Sequence, residues 1–213
     1  MKPRVTTKHH KGQAQIFKNP FLESLTKTNL PANIIVFGST VLTLSYIALY
    51  VINLPFITFI SLFVFAIFSW TFAEYMLHRY LFHWVSENKY IQRFHFIMHG
   101  NHHLYPKDTQ RILMPPVPGL IMGSILFGAF YILFTIIGLP QFTWAFFPGF
   151  FLGYLMYSFF HYATHMVRAP KRFERIWNHH LLHHYKYPNH AFGVSNTFWD
   201  RVFGTMPPKV KSK

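Results

Sequence analysis

The sequence predicts an all-α integral membrane protein in which four transmembrane helices form two hairpins. Two charge-free windows and a one-sided distribution of Lys and Arg predict this fold. Of the 213 residues, 51% are hydrophobic and only 12% are charged. Residues 28–73 and 112–160 contain no Asp, Glu, Lys or Arg. Each window is long enough for two spans, because one span needs about 20 apolar residues.

Each window has a turn sequence near its middle, which divides it into two helices. The first window contains NLP at 53–55 and the second contains GLPQ at 138–141. Asn, Gly and Pro favour turns, each for its own reason of backbone geometry. The predicted spans are therefore 33–52 paired with 56–77, and 118–137 paired with 142–165.

The positions of the basic residues predict the orientation of these helices. Six of the 20 Lys and Arg residues precede the first predicted span, five lie between the hairpins and nine follow the fourth span. All 20 thus fall on one side, which the positive-inside rule identifies as cytoplasmic. We expect a multi-pass protein with both termini in the cytoplasm, in a bacterial inner membrane or the endoplasmic reticulum. Lys209 and Lys211 resemble a dilysine retrieval signal, and a plain basic tail is the alternative.

The expected organisation has three regions: a basic cytoplasmic arm at 1–32, a single domain at 33–205 and a basic tail at 206–213. The net charge of +14 suits an anionic membrane surface. Nucleic acid is not an expected partner, because the basic residues are spread over three segments that adjoin the spans. The chain has no cysteine, so thiolate ligands and disulfides are excluded.

All 15 histidines lie on the predicted cytoplasmic side, and ten of them form four spaced sets. The sets are HRYLFH with His78 and His83, HGNHH with His99, His102 and His103, HYATH with His161 and His165, and HLLHH with His180, His183 and His184. The first and third sets lie at the cytoplasmic exits of spans two and four. Four segments can therefore converge in a helical cap just above the membrane.

The spacing within the sets indicates shared helix faces, since residues three and four apart point the same way. His161 and His165 fit this rule. The sets at 99–103 and 180–184 fit it as well if these stretches are helical. His78 and His83 lie about 140° apart on an ideal helix. We expect the helix to loosen there, or the two side chains to flank the site from two sides.

Ten histidines at one membrane face predict a metal site. Protonated imidazoles would repel one another and neutral ones would need partners, and imidazole binds Zn, Cu, Fe and Ni. A single histidine on a helix is more often exposed or hydrogen-bonded, but ten in spaced sets are poorly explained that way. Ten ligands can serve two metal ions with about five each, which leaves a coordination position open, as in catalytic sites. The predicted fold is therefore a four-helix membrane domain with a cytoplasmic helical cap that holds a histidine-rich dinuclear site.

Several other residues lie close to these sets. Glu74, one helical turn before His78, either orients a ligand histidine or is a solvated interfacial acid. Asp200 either holds a histidine of the last set or pairs with Arg201. The remaining histidines are expected outside the ligand set, as supporting or surface residues: His9, His10, His95, His179 and His190.

The four histidine sets on a four-span protein resemble the fatty acid hydroxylase and sterol desaturase superfamily. The stretch HFIMHGNHHLYPKDTQRILMPPVPG at 95–119 resembles the fatty acid 2-hydroxylases in particular, and FGVSNTFWDRVFGT at 192–205 is similar to the end of those enzymes. The resemblance extends from about Glu74 to Thr205. Its most specific features are the four histidine sets and the Arg-x3-Pro-Pro-x-Pro run that follows the second set.

The resemblance implies a chemistry and a set of partners. It implies two metal ions, expected to be iron in the active protein, although a purified form can hold zinc. It also implies a monooxygenase that uses O2 and two electrons to hydroxylate carbon 2 of a long acyl chain, often in ceramides and other sphingolipids. Many eukaryotic relatives carry a fused cytochrome b5 domain. Residues 1–32 show no haem-binding motif, so a separate cytochrome b5-like or ferredoxin-like donor is expected.

Two groups of alternative functions share these features. A sterol desaturase, a sterol methyl oxidase or a carotenoid hydroxylase would have the same metal site and a different substrate cavity. A metal transporter or a non-catalytic metal-binding scaffold belongs to another class. Transporters usually place their ion sites near the bilayer midplane, whereas the histidines here lie at one face. The oxygenase interpretation is therefore favoured.

Overall fold

The computed structural model describes residues 9–208, and within this range the chain is helical with no β-strand. The first residues of the arm and the tail with Lys209 and Lys211 lie outside the described residues. The α-helices of this range are α1 Pro20–Ser24, α2 Leu30–Tyr46, α3 Phe56–Met76, α4 Lys89–His95, α5 Asn101–Leu104, α6 Pro116–Ile136, α7 Thr143–Met166, α8 Glu174–Tyr185 and α9 Phe198–Val202. The prediction of an all-α fold is confirmed.

Short irregular turns extend several of these helices. π-Helical turns follow α2, α3 and α4, and 3-10 turns precede α7 and α8. The π turns are Ile47–Val51, Leu77–Phe82 and Phe96–Gly100, and the 3-10 turns are Pro140–Phe142 and Lys171–Phe173. In a π turn the backbone hydrogen bond joins residues five apart rather than four.

The helix boundaries follow from local sequence. The Asn29 side chain accepts a hydrogen bond from the Ala32 N–H and so caps α2. The two predicted turns are found where they were expected. Asn53, which follows α2 and its π turn, has a φ of 56°, and Gly138, which follows α6, has a φ of 77°. Both values lie in the left-handed region, which Asn and Gly tolerate best.

Three helical stretches within residues 9–208 are long and apolar enough to cross a membrane. They are Leu30–Val51, Phe56–Phe82 and Pro116–Ile136. Only 11–17% of their most apolar windows is buried inside the protein, so most of their apolar surface is available to lipid. Helix α7 covers the fourth predicted span with 24 residues, but it is not one of these three stretches. The fourth span therefore stays a prediction.

The described chain divides into two compact units. The span unit comprises residues 19–71 and 113–159, and the histidine unit comprises residues 9–18, 72–112 and 160–208. The residues from 9 to 18 thus belong to the same unit as all four histidine sets.

Glycines allow very close helix packing within the span unit. A Cβ atom on Gly149 would lie 2.3 Å from the Phe63 carbonyl oxygen, and one on Gly153 would lie 2.5 Å from the Trp70 Cβ. Small residues four apart permit this approach between membrane helices. In this unit α7 therefore packs directly against the backbone of α3.

Chain segments that are distant in sequence meet in the histidine unit. The His10 N–H donates to the Leu104 carbonyl over 2.7 Å, and the Arg93 guanidinium donates to the Ile16 carbonyl. Near the other end, the Ala191 N–H donates to the Thr205 carbonyl over 2.8 Å. The arm is thus fixed to the part of the chain that carries the second histidine set, and the Ala191–Thr205 bond joins the two ends of residues 191–205, the closing segment.

Candidate metal centre

The ten histidines of the four sets form two groups of five. The first cluster consists of His78, His83, His99, His103 and His183, and the second cluster consists of His102, His161, His165, His180 and His184. Within each cluster, one ring nitrogen per residue lies within 4.8 Å of all the others. The structure therefore brings together all ten residues that the sequence singled out, five to a cluster.

Each cluster is built from the same three parts. The first contains both histidines of the first set, two of the second set and one of the fourth set: His78, His83, His99, His103 and His183. The second contains both histidines of the third set, two of the fourth set and one of the second set: His161, His165, His180, His184 and His102. The two HxxHH sets thus exchange one histidine each, and this exchange links the two clusters.

The π turn at Leu77–Phe82 explains why His78 and His83 can share a cluster. The His83 N–H donates to the His78 carbonyl over 3.2 Å, which is the i to i+5 bond of a π turn. Residues five apart consequently lie on the same side. The predicted loosening of this helix end is confirmed, and its physical form is a wider helical turn.

The expectation that His99, His102 and His103 share one face is wrong in part. His99 and His103 are four apart and meet in the first cluster, whereas His102 belongs to the second. Adjacent helical residues diverge by about 100°, so neighbouring side chains can serve different groups. His183 departs from its own set for the same reason.

The spacing of the ring nitrogens is the spacing of ligands around an ion. In the first cluster, Nε2 of His99 lies 3.0 Å from Nε2 of His78 and 3.1 Å from Nε2 of His103. In the second, Nε2 of His102 lies 2.8 Å from that of His161 and 3.1 Å from that of His165. Two nitrogen ligands about 2.1 Å from one ion and at right angles to each other would be about 3.0 Å apart.

The tautomers of two histidines support the same conclusion. The Nδ1 of His78 donates to the Phe192 carbonyl, and the Nδ1 of His183 donates to the His190 carbonyl over 2.7 Å. A carbonyl can only accept, so in the neutral rings Nε2 carries a lone pair. Both lone pairs point into the first cluster, where they need a cation or a proton.

Burial keeps these rings neutral. The pKa values of His99, His102, His103, His180, His183 and His184 are lowered well below the ordinary 6.5, first by desolvation and then by neighbouring histidines. Neutral imidazole is the form that binds metal ions. The donor set, the nitrogen spacing and the neutral state therefore all fit two metal ions, with five histidines for each.

Glu74 is only 3% exposed, so it is not the solvated acid of the second expectation. Its hydrogen bonds go to the segment that follows α8 rather than directly to a histidine, so a role in orienting a ligand histidine stays a prediction. Its carboxylate accepts from the N–H groups of Val194 and Ser195 over 2.7 and 2.9 Å, and also from the Ser195 hydroxyl. Because Val194 lies 120 positions away in the chain, sequence spacing gave no sign of this contact.

Asp200 binds a histidine of α8, but this histidine is not a member of the fourth set. His179 Nε2 donates to the Asp200 carboxylate over 2.9 Å. Burial pushes the pKa of Asp200 upward, but hydrogen bonds from His179, Thr205 and the Gly193 N–H outweigh burial and leave this pKa below its ordinary value. Asp200 is therefore a buried carboxylate that supports the closing segment.

The remaining histidines lie outside both clusters, as expected. His95 is half-buried with its ring 6.5 Å from that of His83, and the backbone carbonyl of His190 supports His183. His10 is exposed. His9 differs from the expected surface residue, because its Nδ1 donates to the His103 carbonyl over 2.9 Å. No spacing rule links position 9 to position 103, so this contact could not be predicted from the sequence.

Apolar helices of membrane-spanning length and paired five-histidine clusters define a class of membrane protein with a candidate dinuclear metal centre. A family model described as fatty acid hydroxylase matches residues 63–205. The chain belongs to the fatty acid hydroxylase family, and the resemblance drawn from the histidine sets is confirmed.

Several characterised relatives are similar over most of this chain. It is 38% identical over 166 residues to the fatty acid 2-hydroxylase of Mus musculus, covering 75% of this chain and 43% of the relative. It is 38% identical over 200 residues to the ceramide very long chain fatty acid hydroxylase SCS7 of Saccharomyces cerevisiae, covering 92% of this chain and 50% of the relative. The chain thus spans about half the length of these curated relatives.

A solved structure shares the fold. It is described as full-length scs7p with only the hydroxylase domain visible. It is 36% identical to this chain, covers 92% of it with a TM-score of 0.81, and is itself covered over 73% of its length.

Proposed function

We propose that the protein is a membrane-bound, O2-dependent dinuclear-metal hydroxylase that acts at carbon 2 of long-chain fatty acyl groups, free or in ceramide and other sphingolipids. The observation that carries this proposal is the pair of five-histidine clusters in a member of this family. The names of the relatives support the substrate class, since they are fatty acid 2-hydroxylases and ceramide or dihydroceramide fatty acyl hydroxylases.

The proposed reaction replaces one C–H bond next to the carboxyl carbon by C–OH. One oxygen atom of O2 enters the product and the other leaves as water, which consumes two electrons and two protons. Two metal ions, proposed to be iron, would supply the activation of O2 for this step, held by the ten histidines of the two clusters. Glu74 is proposed to act from outside the ligand set, and no further bound cofactor is proposed.

The residues of this chain provide the setting for that chemistry. Eight of the ten histidines are at most 4% exposed, so bulk water is kept away from their nitrogens. Exclusion of water strengthens electrostatic interactions and suppresses side reactions. In His78 and His183 the proton lies on Nδ1, because Nδ1 donates a hydrogen bond to a backbone carbonyl. Nε2 of each ring is therefore available to bind a metal ion.

The lipid substrate and the location are proposed together. The three apolar helical stretches support a membrane protein. A fatty acyl chain would lie in the same apolar interior of the bilayer. We propose that α7 is the fourth span, that residues 33–205 form the catalytic domain, and that the arm at 1–32, the tail at 206–213 and the metal centre lie on the cytoplasmic side. The one-sided distribution of the 20 Lys and Arg residues supports this topology.

A separate electron carrier is proposed as a partner, of the cytochrome b5 or ferredoxin kind. The net charge of +14 favours a carrier with an acidic docking face, because complementary charges speed encounter. Exposed basic residues of the histidine unit, such as Lys89, Lys107 and Lys186, are available for this contact. Carrier-dependent turnover that did not respond to ionic strength would contradict docking by charge.

Lipid mass spectrometry tests the proposed activity. The chain is expressed in a host that lacks 2-hydroxy lipids and supplies a compatible electron donor, beside His183→Ala and His10→Ala. We expect 2-hydroxy acyl chains from the unchanged chain and from His10→Ala, because His10 is exposed and lies outside the clusters. His183→Ala is expected to produce none, since it removes a ligand of the first cluster.

The same extracts separate the related activities. Modified sterols or carotenoids without 2-hydroxy acyl chains would assign the protein to another branch of the superfamily. Expressed, metal-loaded protein without any lipid product would instead favour a metal-binding scaffold or a transporter.

A further inference from the structure

One short segment supports two histidines of the first cluster. The Nδ1 of His183 donates to the His190 carbonyl and the Nδ1 of His78 donates to the Phe192 carbonyl. The two histidines come from α8 and from the π turn after α3, whereas the two carbonyls are only two residues apart. The position of segment 190–195 therefore sets the orientation of both rings at once.

Glu74 fixes one end of this segment. Its carboxylate accepts hydrogen bonds from the consecutive N–H groups of Val194 and Ser195, and from the Ser195 hydroxyl. Without this carboxyl group the buried Val194 N–H would have no acceptor, and an unsatisfied buried donor is costly. Glu74 lies one helical turn before His78, so the carboxylate and the ring that it supports belong to the same stretch of chain.

Asp200 fixes the middle of the segment in the same way. Its carboxylate accepts from the N–H groups of Phe192 and Gly193 over 2.9 and 2.7 Å, and from the Thr205 hydroxyl over 2.7 Å. The packing is tight, because a Cβ on Gly193 would lie 2.1 Å from the Asn196 carbonyl oxygen. Four consecutive N–H groups, from position 192 to position 195, are thus held by two buried carboxylates.

The backbone conformation also requires this support. Ala191 has a φ of 60°, which is unfavourable for a residue with a side chain and persists only when the surroundings enforce it. Ala191 lies between the two supporting carbonyls of His190 and Phe192. Loosening of the carboxylate contacts would therefore allow the segment to relax and both rings to turn.

Unpartnered ring nitrogens are more numerous in the second cluster. Among the described residues, the buried Nδ1 atoms of His102, His180 and His184 in the second cluster and of His83 and His103 in the first have no hydrogen-bond partner. The first cluster has, in addition, the two rings of His78 and His183 that segment 190–195 orients. Partners of the outer ring nitrogen fix the orientation of a ligand histidine and raise its basicity, and their loss typically costs about 10- to 100-fold in metal affinity. The two clusters should therefore differ in how firmly they hold an ion.

We propose that Glu74 and Asp200 are positioning residues that act through segment 190–195 on His78 and His183, and that they make the first cluster the one that holds its metal ion longer. This inference rests on the proposed dinuclear metal centre. It adds that the two clusters release their metal ions at different rates. Neither carboxylate needs to touch a metal ion or the substrate for this effect.

Release of zinc to a chromogenic chelator tests the proposal. The full chain, in lipid nanodiscs and loaded with Zn²⁺, is mixed with excess chelator and the release is followed in time. We expect one ion in a fast phase and one in a slow phase. His83→Ala should abolish the slow phase and His165→Ala the fast phase, which assigns the slowly released ion to the first cluster.

Variants of the carboxylate then identify its role. Glu74→Gln is expected to accelerate the slow phase by about 10-fold or more and to leave the fast phase unchanged. Glu87→Gln is the matched control, since Glu87 is an exposed acid of the same unit, and it should change neither phase. Ser195→Ala removes only the hydroxyl contact and should accelerate the slow phase to a smaller extent; it decides the matter if Glu74→Gln does not fold.

Four results would overturn the proposal: fewer than two zinc ions bound, two ions released at one rate, a slow phase that maps to the second cluster, or equal acceleration of both phases. A purely structural role of Glu74 would change both phases and the melting temperature together. If the two phases behave as expected but no 2-hydroxy lipid forms in cells, the positioning role stands and the proposed activity fails.

Discussion

The Nε2 atoms of His83 and His183 lie 3.0 Å apart, although 100 residues separate the two histidines in the chain. This contact closes the first cluster between the end of the π turn after α3 and the last turn of α8. Nδ1 of His183 is bound to a backbone carbonyl, so its Nε2 has no proton to share in the neutral ring. A metal ion bound in this cluster would satisfy the lone pair of His183 Nε2.

Acid should destabilise the metal-free protein. The buried histidines have pKa values well below 6.5 in the folded state, whereas in the unfolded chain they titrate near 6.5. Below pH 6.5 the unfolded chain therefore binds more protons, and the free energy of unfolding falls. Each such histidine contributes a slope of up to about 1.4 kcal/mol per pH unit.

Melting temperatures between pH 8 and pH 5 check this expectation. The metal-free protein should lose stability steeply below about pH 6.5, and the metal-loaded protein should keep its plateau to lower pH because bound ions compete with protons. Equal melting temperatures for the metal-free protein at pH 7 and pH 5 would show that the histidines are not buried as neutral rings.

Gly149→Ala should destabilise the span unit. The new Cβ would meet the Phe63 carbonyl oxygen at 2.3 Å, so α3 and α7 would have to separate. Overpacking of this kind costs about 1–3 kcal/mol, which exceeds the gain in helix propensity from Gly to Ala. A lower melting temperature in detergent is the expected result.

Gly128→Ala is the matched control for that variant. Nothing lies within 4 Å of a Cβ at this position in α6, so the better helix propensity of Ala should act alone and leave stability equal or higher. The packing argument fails if both variants melt at the same temperature.

His9→Ala should weaken the attachment of the arm. Its Nδ1 donates to the His103 carbonyl over 2.9 Å, and its ring lies 4.4 Å from that of Tyr185. Loss of one hydrogen bond and one ring contact is expected to cost about 1–2 kcal/mol. Limited proteolysis and the melting temperature measure this change.

His10→Ala separates the side-chain effect from the backbone. The contact of His10 with Leu104 uses the backbone N–H, which Ala retains, so this variant should stay close to the unchanged protein. Similar losses in both variants would mean that the His9 side chain has no special role.

The sequence was informative where one local property determines the outcome. Absence of charge and the turn residues located the helices, and the positive φ values of Asn53 and Gly138 lie inside the predicted turns. The five-residue spacing of His78 and His83 indicated an irregular helix end, which is a π turn in the structure. The ten clustered histidines were all identified from their spacing.

The sequence was uninformative where the outcome depends on contacts between distant segments. Helical geometry shows that His102 and His103 diverge, but only the positions of α7 and α8 determine which cluster each one joins. The contacts of Glu74 with Val194 and Ser195 span about 120 residues. They depend on backbone N–H groups, which carry no sequence signal.

The division of the histidines into two crossed groups of five is the central structural claim. It requires that His102 act with His161 rather than with its near neighbour His99. Two double variants distinguish these pairings, and each removes two of the ten histidines. In one variant both histidines belong to the same cluster, and in the other they belong to different clusters. His10→Ala serves as the control and should bind two ions.

The most direct measurement is the number of metal ions per chain, determined by elemental analysis of folded, purified protein. We predict two ions in the unchanged chain and one in His102→Ala/His161→Ala, whose losses both fall on the second cluster. We predict none, or only weakly held ions, in His99→Ala/His102→Ala, because that variant damages both clusters. One firmly held ion in His99→Ala/His102→Ala together with loss of both ions in His102→Ala/His161→Ala would contradict the crossed arrangement.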